Sequence, residues 1–335
     1  MIYVANTDYE SVLFHHRPSL KMIRELEFLS LWLVDSIKNS QDYSDDYLER
    51  IFKHTGRRPH LFPKAQKTTN WWGSLTDLEL ERELNSKETS KQLSHTIGEE
   101  AGVILSSLTE LNLLDTQKTY LFKSFDGVSG KGNKLLHQLK ENDFPLIAEV
   151  LHKRLIDFSS YSFENGPRIY YQNFISPQFS YKGSFFDLQN AQNLMALDFV
   201  KAHQHLSWDN YLHQLNQVEV FVRSKGAGGF SVDSYIHEEG IRTLCEINYR
   251  RTMGATAFEI AKLFSNKRFH FFTILKVSGD YQELLEKCES EDILLLSHEL
   301  TYFSYFLISG DKKEEVSKKI KTLELISGTS LAVDI

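Results

Sequence analysis

The sequence is short of the residues that define several classes of protein. It has only two cysteines in 335 residues, Cys245 in an apolar strand and Cys288 in a charged helical segment, so neither a disulfide framework nor a structural zinc site is expected. No apolar run approaches the roughly 20 residues that span a bilayer. The first residues lack the basic start and long apolar core of a signal peptide. We therefore expect a cytoplasmic protein with no membrane partner.

Positive charge is also scarce. The 38 Lys and Arg residues are outnumbered by 45 Asp and Glu residues, which leaves a net charge of -7. Because no dense basic tract offsets this balance locally, no nucleic-acid partner is expected. Hydrophobic residues make up 41% of the chain and charged residues 25%, which is typical of a folded protein that can bury two or three linked cores.

Two neighbouring apolar strands carry acidic side chains. Asp233 lies in the first strand, and Glu246 follows 13 residues later in the second. The intervening residues 237–240 are typical of a hairpin turn, so the two carboxylates are expected to lie side by side. Adjacent carboxylates repel each other unless a cation lies between them, and hard oxygen ligands suit a magnesium ion that keeps water and phosphate ligands. The hairpin therefore predicts a magnesium site.

The side chains of the second strand are expected to divide between two faces. The period of two places Glu246 and Asn248 on the metal face and turns Cys245 toward the core. Asp233, Glu246 and Asn248 are therefore the predicted metal ligands. The same period selects Arg250 for this face, while its neighbour Arg251 is expected to have a structural role or to contact substrate.

A second group of residues is suited to binding phosphate. The predicted strand Thr119–Lys123 ends in a lysine and precedes a loop with glycines at 127, 130 and 132. Glycines let backbone amides approach an anion closely, and Lys123 supplies a countercharge. The spacing fits neither a Walker loop nor the dinucleotide-binding fingerprint. A plain glycine-rich turn is the alternative interpretation.

In this order along the chain, the motifs resemble those of the ATP-grasp superfamily over about residues 85–262. The resemblance implies an α/β (α+β) protein with the ATP-grasp fold, in which the nucleotide is held between two α+β subdomains. An N-terminal α/β domain would span residues 1–85. The small subdomain, with the flap and hinge, would span 86–180, and the large subdomain, with the metal-binding strands and a C-terminal α/β unit, would span 181–335.

The resemblance also implies contacts to the nucleotide. The first phosphate-contacting lysine is matched to Lys87, with Lys91 as the alternative, and the second is matched to Lys123. The hinge strand, whose backbone binds adenine, is matched to Ile169–Ile175, and the nearest candidate for the ribose contact is Gln178. The residues assigned to the nucleotide are Lys87, Lys123, Ser129, Gly130, Gly132, Gln172, Asn173, Ile175 and Gln178.

The function implied by the resemblance is an ADP-forming ligase that uses ATP and Mg²⁺. Such an enzyme joins a small carboxylate to an amine or amino acid through an acyl phosphate, with Lys123 and Arg250 stabilising the transferred phosphoryl group. A homodimer is compatible with this family. Three alternatives stay open: a relative that only phosphorylates its substrate, one that binds nucleotide without ligation, and an α/β binding protein with no nucleotide.

Other patterns are assigned to packing or to solvent. Trp71 and Trp72 are expected to pack between domains rather than to line a ligand cleft. The β-branched and aromatic run Val218–Arg223 predicts a strand. The pairs His15-His16 and His203-His205 have no acidic or cysteine partner at zinc-like spacing, so they are expected to be solvated.

Overall fold

The computed structural model describes residues 1–15, 17–100, 102–126, 132–176, 180–190, 195–203, 205–300, 303–331, 333 and 335. Within these residues the strands form three sheets, which we name the N-terminal, small and large sheets. Helices and sheets are mixed throughout, which confirms the predicted α/β (α+β) class. No helix in the described ranges is long and apolar enough to cross a bilayer.

The N-terminal sheet is parallel, with the strand order β3-β2-β1-β4. Its strands are β1 (Tyr3–Val4), β2 (Ser36–Lys38), β3 (His60–Leu61) and β4 (Thr69–Asn70), and its helices are α1 (Tyr9–His15), α2 (Leu20–Leu31) and α3 (Asp45–Thr55). Local signals define α3: the Ser44 side chain caps its first turn, two aspartates follow, and Gly56 ends it with φ 69°.

The small sheet is antiparallel and has the order β5-β8-β6-β7. Its strands are β5 (Val103–Leu105), β6 (Tyr120–Lys123), β7 (Asn133–Lys134) and β8 (Leu146–Val150). Its core consists of four buried side chains, Leu105, Phe122, Leu146 and Ala148. The strand pair β6-β7 brackets the glycine-rich loop, because Lys123 pairs with Asn133.

The large sheet is antiparallel and has the order β13-β12-β9-β10-β11-β14-β16-β15. Its strands are β9 (Arg154–Ser162), β10 (Arg168–Ile175), β11 (Tyr181–Asp187), β12 (Phe230–His237), β13 (Gly240–Asn248), β14 (Phe269–Leu275), β15 (Ile293–Leu295) and β16 (Ser304–Gly310). The remaining helices are α4 (Leu78–Asn85), α5 (Lys87–Thr96), α6 (Met195–Ala202), α7 (Trp208–Ser224), α8 (Met253–Lys262), α9 (Tyr281–Ser290) and α10 (Lys313–Ser327).

The sheet topology departs from the predicted division of the chain at residue 180. Strands β9 and β10 precede that residue, yet they pair with β12 and β11 of the large sheet. Helix α5, also assigned to the small subdomain, packs on β13 through a hydrogen bond from Ser94 Oγ to the carbonyl oxygen of Leu244 (3.1 Å). The small and large sheets are therefore joined by residues 151–153, between β8 and β9.

One strand prediction is wrong. Val218–Arg223 lies inside helix α7, where Tyr211, Leu215, Val218 and Val222 are buried at helical spacing. Burial of this helical stripe outweighs the strand propensity of the β-branched residues.

Candidate active site

A cavity of ≈260 Å³ is lined by residues of the N-terminal domain, the small sheet and the large sheet. Its charged lining residues are Glu10, Lys87, Lys123, Arg154, Asp157, Asp233, Glu246 and Arg250. The two lysines predicted to bind phosphate and the predicted metal ligands therefore face one space, although they come from separate parts of the fold.

Asp233 and Glu246 lie directly opposite each other on β12 and β13. Ser159 Oγ donates a hydrogen bond to Asp233 Oδ1 (2.6 Å), and Asn248 Nδ2 donates one to Asp233 Oδ2 (3.0 Å). Burial, together with the charge of Glu246, raises the pKa of Asp233 to about 6. A divalent cation would relieve this repulsion, and carboxylate and amide oxygens are suitable ligands for Mg²⁺. The predicted metal ligands therefore fit the ion.

The prediction that Cys245 faces the core is wrong. Its side chain lines the cavity beside Glu246. The register explains the change. Asp233 pairs with Glu246 and Tyr235 pairs with Arg242, so three residues of β13 stand opposite one residue of β12. This bulge interrupts the period of two, and the cavity receives two consecutive side chains.

Lys123 reaches the cavity from the end of β6. Its Nζ lies 2.5 Å from Glu149 Oε2 and 3.7 Å from Cys245 Sγ. Burial opposes the charge of this lysine, but Cys245 and Glu149 outweigh burial and raise the pKa of Lys123. The lysine of the small sheet is therefore a cation that already contacts the strand of the acidic pair.

Lys87, rather than the alternative Lys91, lines the cavity. Its backbone N–H donates to the carbonyl oxygen of Phe125 (3.0 Å), which ties the start of α5 to the segment after β6. Burial lowers the pKa of Lys87, and nearby Lys123 adds to this effect while Glu246 opposes it. Lys91 instead points to the surface, where its Nζ lies 3.2 Å from His95 Nε2.

The predicted hinge strand, β10, lies inside the large sheet. Asn173 pairs with Asp157 of β9 and with Ser184 of β11, so its backbone belongs to the sheet and is not available to bind a base. The buried Gln172 is likewise paired on both sides. The side chains of Asn173 and Ile175 nevertheless line the cavity.

A second apolar segment, Ile147–Leu151, has an acidic residue at its centre. There Glu149 stands between apolar residues, at the end of β8 and beside the linker between the two sheets. Eight residues later, Asp157 lines the cavity and accepts a hydrogen bond from Arg154 Nη1 (2.7 Å). An acidic residue at the centre of an apolar segment, which β10 lacks, is the signal that could have found Ile147–Leu151.

Three of the predicted nucleotide contacts, Ser129, Gly130 and Gln178, lie outside the described residues. Gly132 is described and has φ 86°, a left-handed conformation that glycine adopts without strain.

Arg250 and Arg251 have different surroundings. Arg250 lines the cavity and forms an ion pair with Glu10 of α1. Arg251 donates its backbone N–H to the carbonyl oxygen of Trp72 (2.8 Å), stacks 4.8 Å from the ring centre of Trp71, and forms an ion pair with Glu259. Arg251 therefore links the N-terminal domain to the large sheet, and both buried tryptophans pack at this junction, as predicted. Trp72 also lines the cavity, which the sequence did not predict.

The sequence matches no family model and no curated protein. Solved structures are similar to the chain. Carboxyaminoimidazole ribonucleotide synthase from Aspergillus clavatus, solved with ATP, is 12% identical, with 93% of this chain and 86% of that chain covered and a TM-score of 0.51. The N5-carboxyaminoimidazole ribonucleotide synthetase from Thermus thermophilus is 11% identical, with 100% of both chains covered and a TM-score of 0.52.

A third similar structure is the biotin carboxylase domain of 2-oxoglutarate carboxylase from Hydrogenobacter thermophilus, a dimer solved with MgADP, ADP and bicarbonate. It is 14% identical, with 96% of this chain and 83% of that chain covered and a TM-score of 0.52. These neighbours are ATP-grasp proteins. The chain therefore has the ATP-grasp fold that its motifs resemble.

Proposed function

We propose that the protein is an ATP-dependent, ADP-forming ligase that joins a small carboxylate to an amine through an acyl phosphate. This proposal rests on one observation: the paired carboxylates Asp233 and Glu246 line the same cavity as Lys87 and Lys123. Oxygen ligands and buried lysines are the two kinds of group that a magnesium triphosphate requires at its opposite sides.

Each charged group has a distinct task in this proposal. Asp233, Glu246 and Asn248 would hold Mg²⁺, which when bound neutralises charge on the phosphates. Lys87 and Lys123 contact phosphate oxygens and offset the negative charge that develops as the phosphoryl group leaves ADP. For Lys123 this contact competes with its ion pair to Glu149, so phosphate binding releases or shares that partner.

The nucleoside is assigned to the linker between the two sheets. Among the described residues, the pairing of β8 with β5 ends at Ala148, so Glu149 and Val150 have no partner on that side of the strand. Their backbone groups are therefore suited to binding an adenine edge. Asp157 is placed eight residues after Glu149 and lines the same cavity, so we assign it the ribose hydroxyls. These assignments replace Gln172, Asn173, Ile175 and Gln178.

The carboxylate substrate is assigned to the side of the cavity that faces the N-terminal domain. Arg250 would hold the substrate carboxylate and then the acyl phosphate, and Glu10 orients this guanidinium from α1. Thr252 caps α8 at the same wall, where its Oγ1 accepts a hydrogen bond from the N–H of Ala255 (3.2 Å). The Hydrogenobacter domain contains bicarbonate with MgADP, so bicarbonate belongs among the acids to be tested.

The direct test is incubation with ATP, Mg²⁺ and pooled carboxylates and amines, followed by mass spectrometry. A ligase yields ADP, phosphate and a condensed product in equal amounts. ADP with a phosphorylated acid would indicate a kinase-like relative, and binding without ADP formation would indicate a protein that only binds nucleotide. Glu246→Gln is the matched inactive control.

We also propose a homodimer as the working assembly. The similar Hydrogenobacter domain was solved as a dimer. Light scattering during size-exclusion chromatography measures the mass directly, and a value near the 38.9 kDa of one chain would exclude the dimer.

A further inference from the structure

A second cluster of possible metal ligands lies outside the cavity. His152 belongs to the linker between the small and large sheets, His237 ends β12, and Glu239 lies in the turn before β13. One ligand atom from each residue lies within 4.8 Å of the others. The sequence separates His152 from His237 by 85 residues, so no local spacing pattern reveals the group.

The chemistry of these side chains is that of a transition-metal site. The two imidazole rings are 4.1 Å apart between centroids, tilted by 34°. His237 Nδ1 is buried and has no hydrogen-bond partner among the described residues. Imidazole binds metals through an unprotonated ring nitrogen, so a buried nitrogen without a partner is a suitable ligand atom.

The carboxylates of the turn are divided between two roles. Glu238 pairs with Lys153 of the linker, with Oε1 2.9 Å from Nζ. Glu239 is exposed and joins the two histidines. Two histidines and one glutamate form a recurrent zinc ligand set, with an open fourth position for water.

We propose that His152, His237 and Glu239 bind a transition-metal dication, with Zn²⁺ as the favoured ion. Ligands about 2.0–2.1 Å from a tetrahedral zinc lie roughly 3.4 Å from one another, so the cluster needs only a small contraction. Rotation of the exposed Glu239 side chain would shorten part of the distance between the ligand atoms. This site is separate from the proposed Mg²⁺ ligands, and the proposal does not depend on the ligase reaction.

The position of the cluster gives the bound metal a mechanical consequence. It would tie the linker of the small sheet to the β12-β13 turn, and the same hairpin carries Asp233 and Glu246. A metal there would restrain motion of the small sheet relative to the large sheet.

The test is calorimetric titration of the full chain with ZnCl₂, in buffer containing Mg²⁺ and no nucleotide. One equivalent should bind to the wild type. Glu239→Gln, His152→Ala and His237→Ala should each weaken binding by at least the roughly 10- to 100-fold that loss of an outer-shell partner costs. His213→Ala is the matched control, because His213 is exposed on α7 and lies 3.4 Å from Gln217 Nε2; it should bind like the wild type.

Co²⁺ gives an independent readout, because its visible absorption reports histidine ligands in a tetrahedral site. The absorption should appear with the wild type and be lost in His237→Ala. Circular dichroism verifies folding, and Glu239→Gln keeps the test valid if a histidine variant unfolds, since Glu239 is at the surface. Unchanged zinc affinity in Glu239→Gln and His152→Ala would overturn the proposal.

Discussion

The acidic and basic sides of the candidate active site are built differently. Asp233 and Glu246 face each other across a hairpin whose strands continue into the large sheet. Lys123 stands on the small sheet, which has a core of four buried side chains and joins the large sheet through residues 151–153. The predicted metal ligands are therefore held by one continuous sheet, while the lysine belongs to a separate sheet with a smaller core.

The largest expected effect comes from the fixed, acidic side. Glu246→Gln keeps the shape of the side chain but replaces one of the two facing carboxylates by a neutral amide, so the predicted Mg²⁺ site loses a negative charge. We expect Mg²⁺-dependent ADP formation to fall by about 100-fold or more, since preorganised charge supplies much of catalysis. A coupled ADP assay measures the change. Glu238→Gln, in the turn of the same hairpin, is the control and should keep full activity; an active Glu246→Gln enzyme would refute the ligase reading.

On the basic side, the ion pair of Lys123 with Glu149 predicts a stability effect. Lys123→Met leaves the buried carboxylate of Glu149 without its partner, which should lower the free energy of unfolding by about 3–5 kcal/mol. Lys123→Met/Glu149→Gln should recover most of this loss without recovering activity. Urea denaturation measures the first effect and ADP formation the second. If the double variant regained activity, Lys123 would be structural.

The raised pKa of Asp233 predicts a pH dependence at the acidic side. Because burial and Glu246 raise this pKa from 3.8 to about 6, the folded protein binds the proton more tightly than the unfolded chain. The stability of the metal-free protein should therefore fall as pH rises from about 4 to about 6. Mg²⁺ with ADP must displace that proton below pH 6, so the stabilisation by MgADP should be larger at pH 7 than at pH 5.

Thermal melting at pH 5, 6 and 7, with and without MgADP, measures this dependence. Asp233→Asn should remove it. An equal dependence in the variant would assign the titration to another group.

The smallest expected effect concerns the neighbouring arginines. Arg251→Ala removes the stacking on Trp71 and the ion pair with Glu259, so we expect a loss of about 1–2 kcal/mol of stability with little change in KM. Arg250→Ala should instead raise the KM for the carboxylate, because Arg250 lines the cavity. Melting temperatures and KM values of the two variants provide the test. If Arg251→Ala raised the KM and Arg250→Ala lowered only the melting temperature, the roles of the two arginines would be the reverse of those assigned.

The same contrast explains how far the sequence could predict the site. The predicted metal hairpin is local: strand period, turn and acid spacing lie within 18 residues, from Ser231 to Asn248. The sequence could therefore predict that Asp233, Glu246 and Asn248 lie close together. The prediction for Cys245 is wrong because a bulge depends on the register between strands, which the period of the sequence alone does not contain.

The sequence could not show which segment is the hinge, because that choice depends on which strands share a sheet. Both Ile169–Ile175 and Ile147–Leu151 are apolar segments with a polar residue, and the first is the longer strand. Only the pairing of β10 with β9 and β11 shows that its backbone is engaged. Such pairing is a long-range property of the chain.

The bulge in β13 has a practical consequence. It turns the thiol of Cys245 into the cavity, while Cys288 is fully enclosed in the core. A maleimide dye should thus label Cys245 selectively. Nucleotide bound as proposed would shield this thiol from the reagent, so the labelling rate would report the occupancy of the cavity in real time.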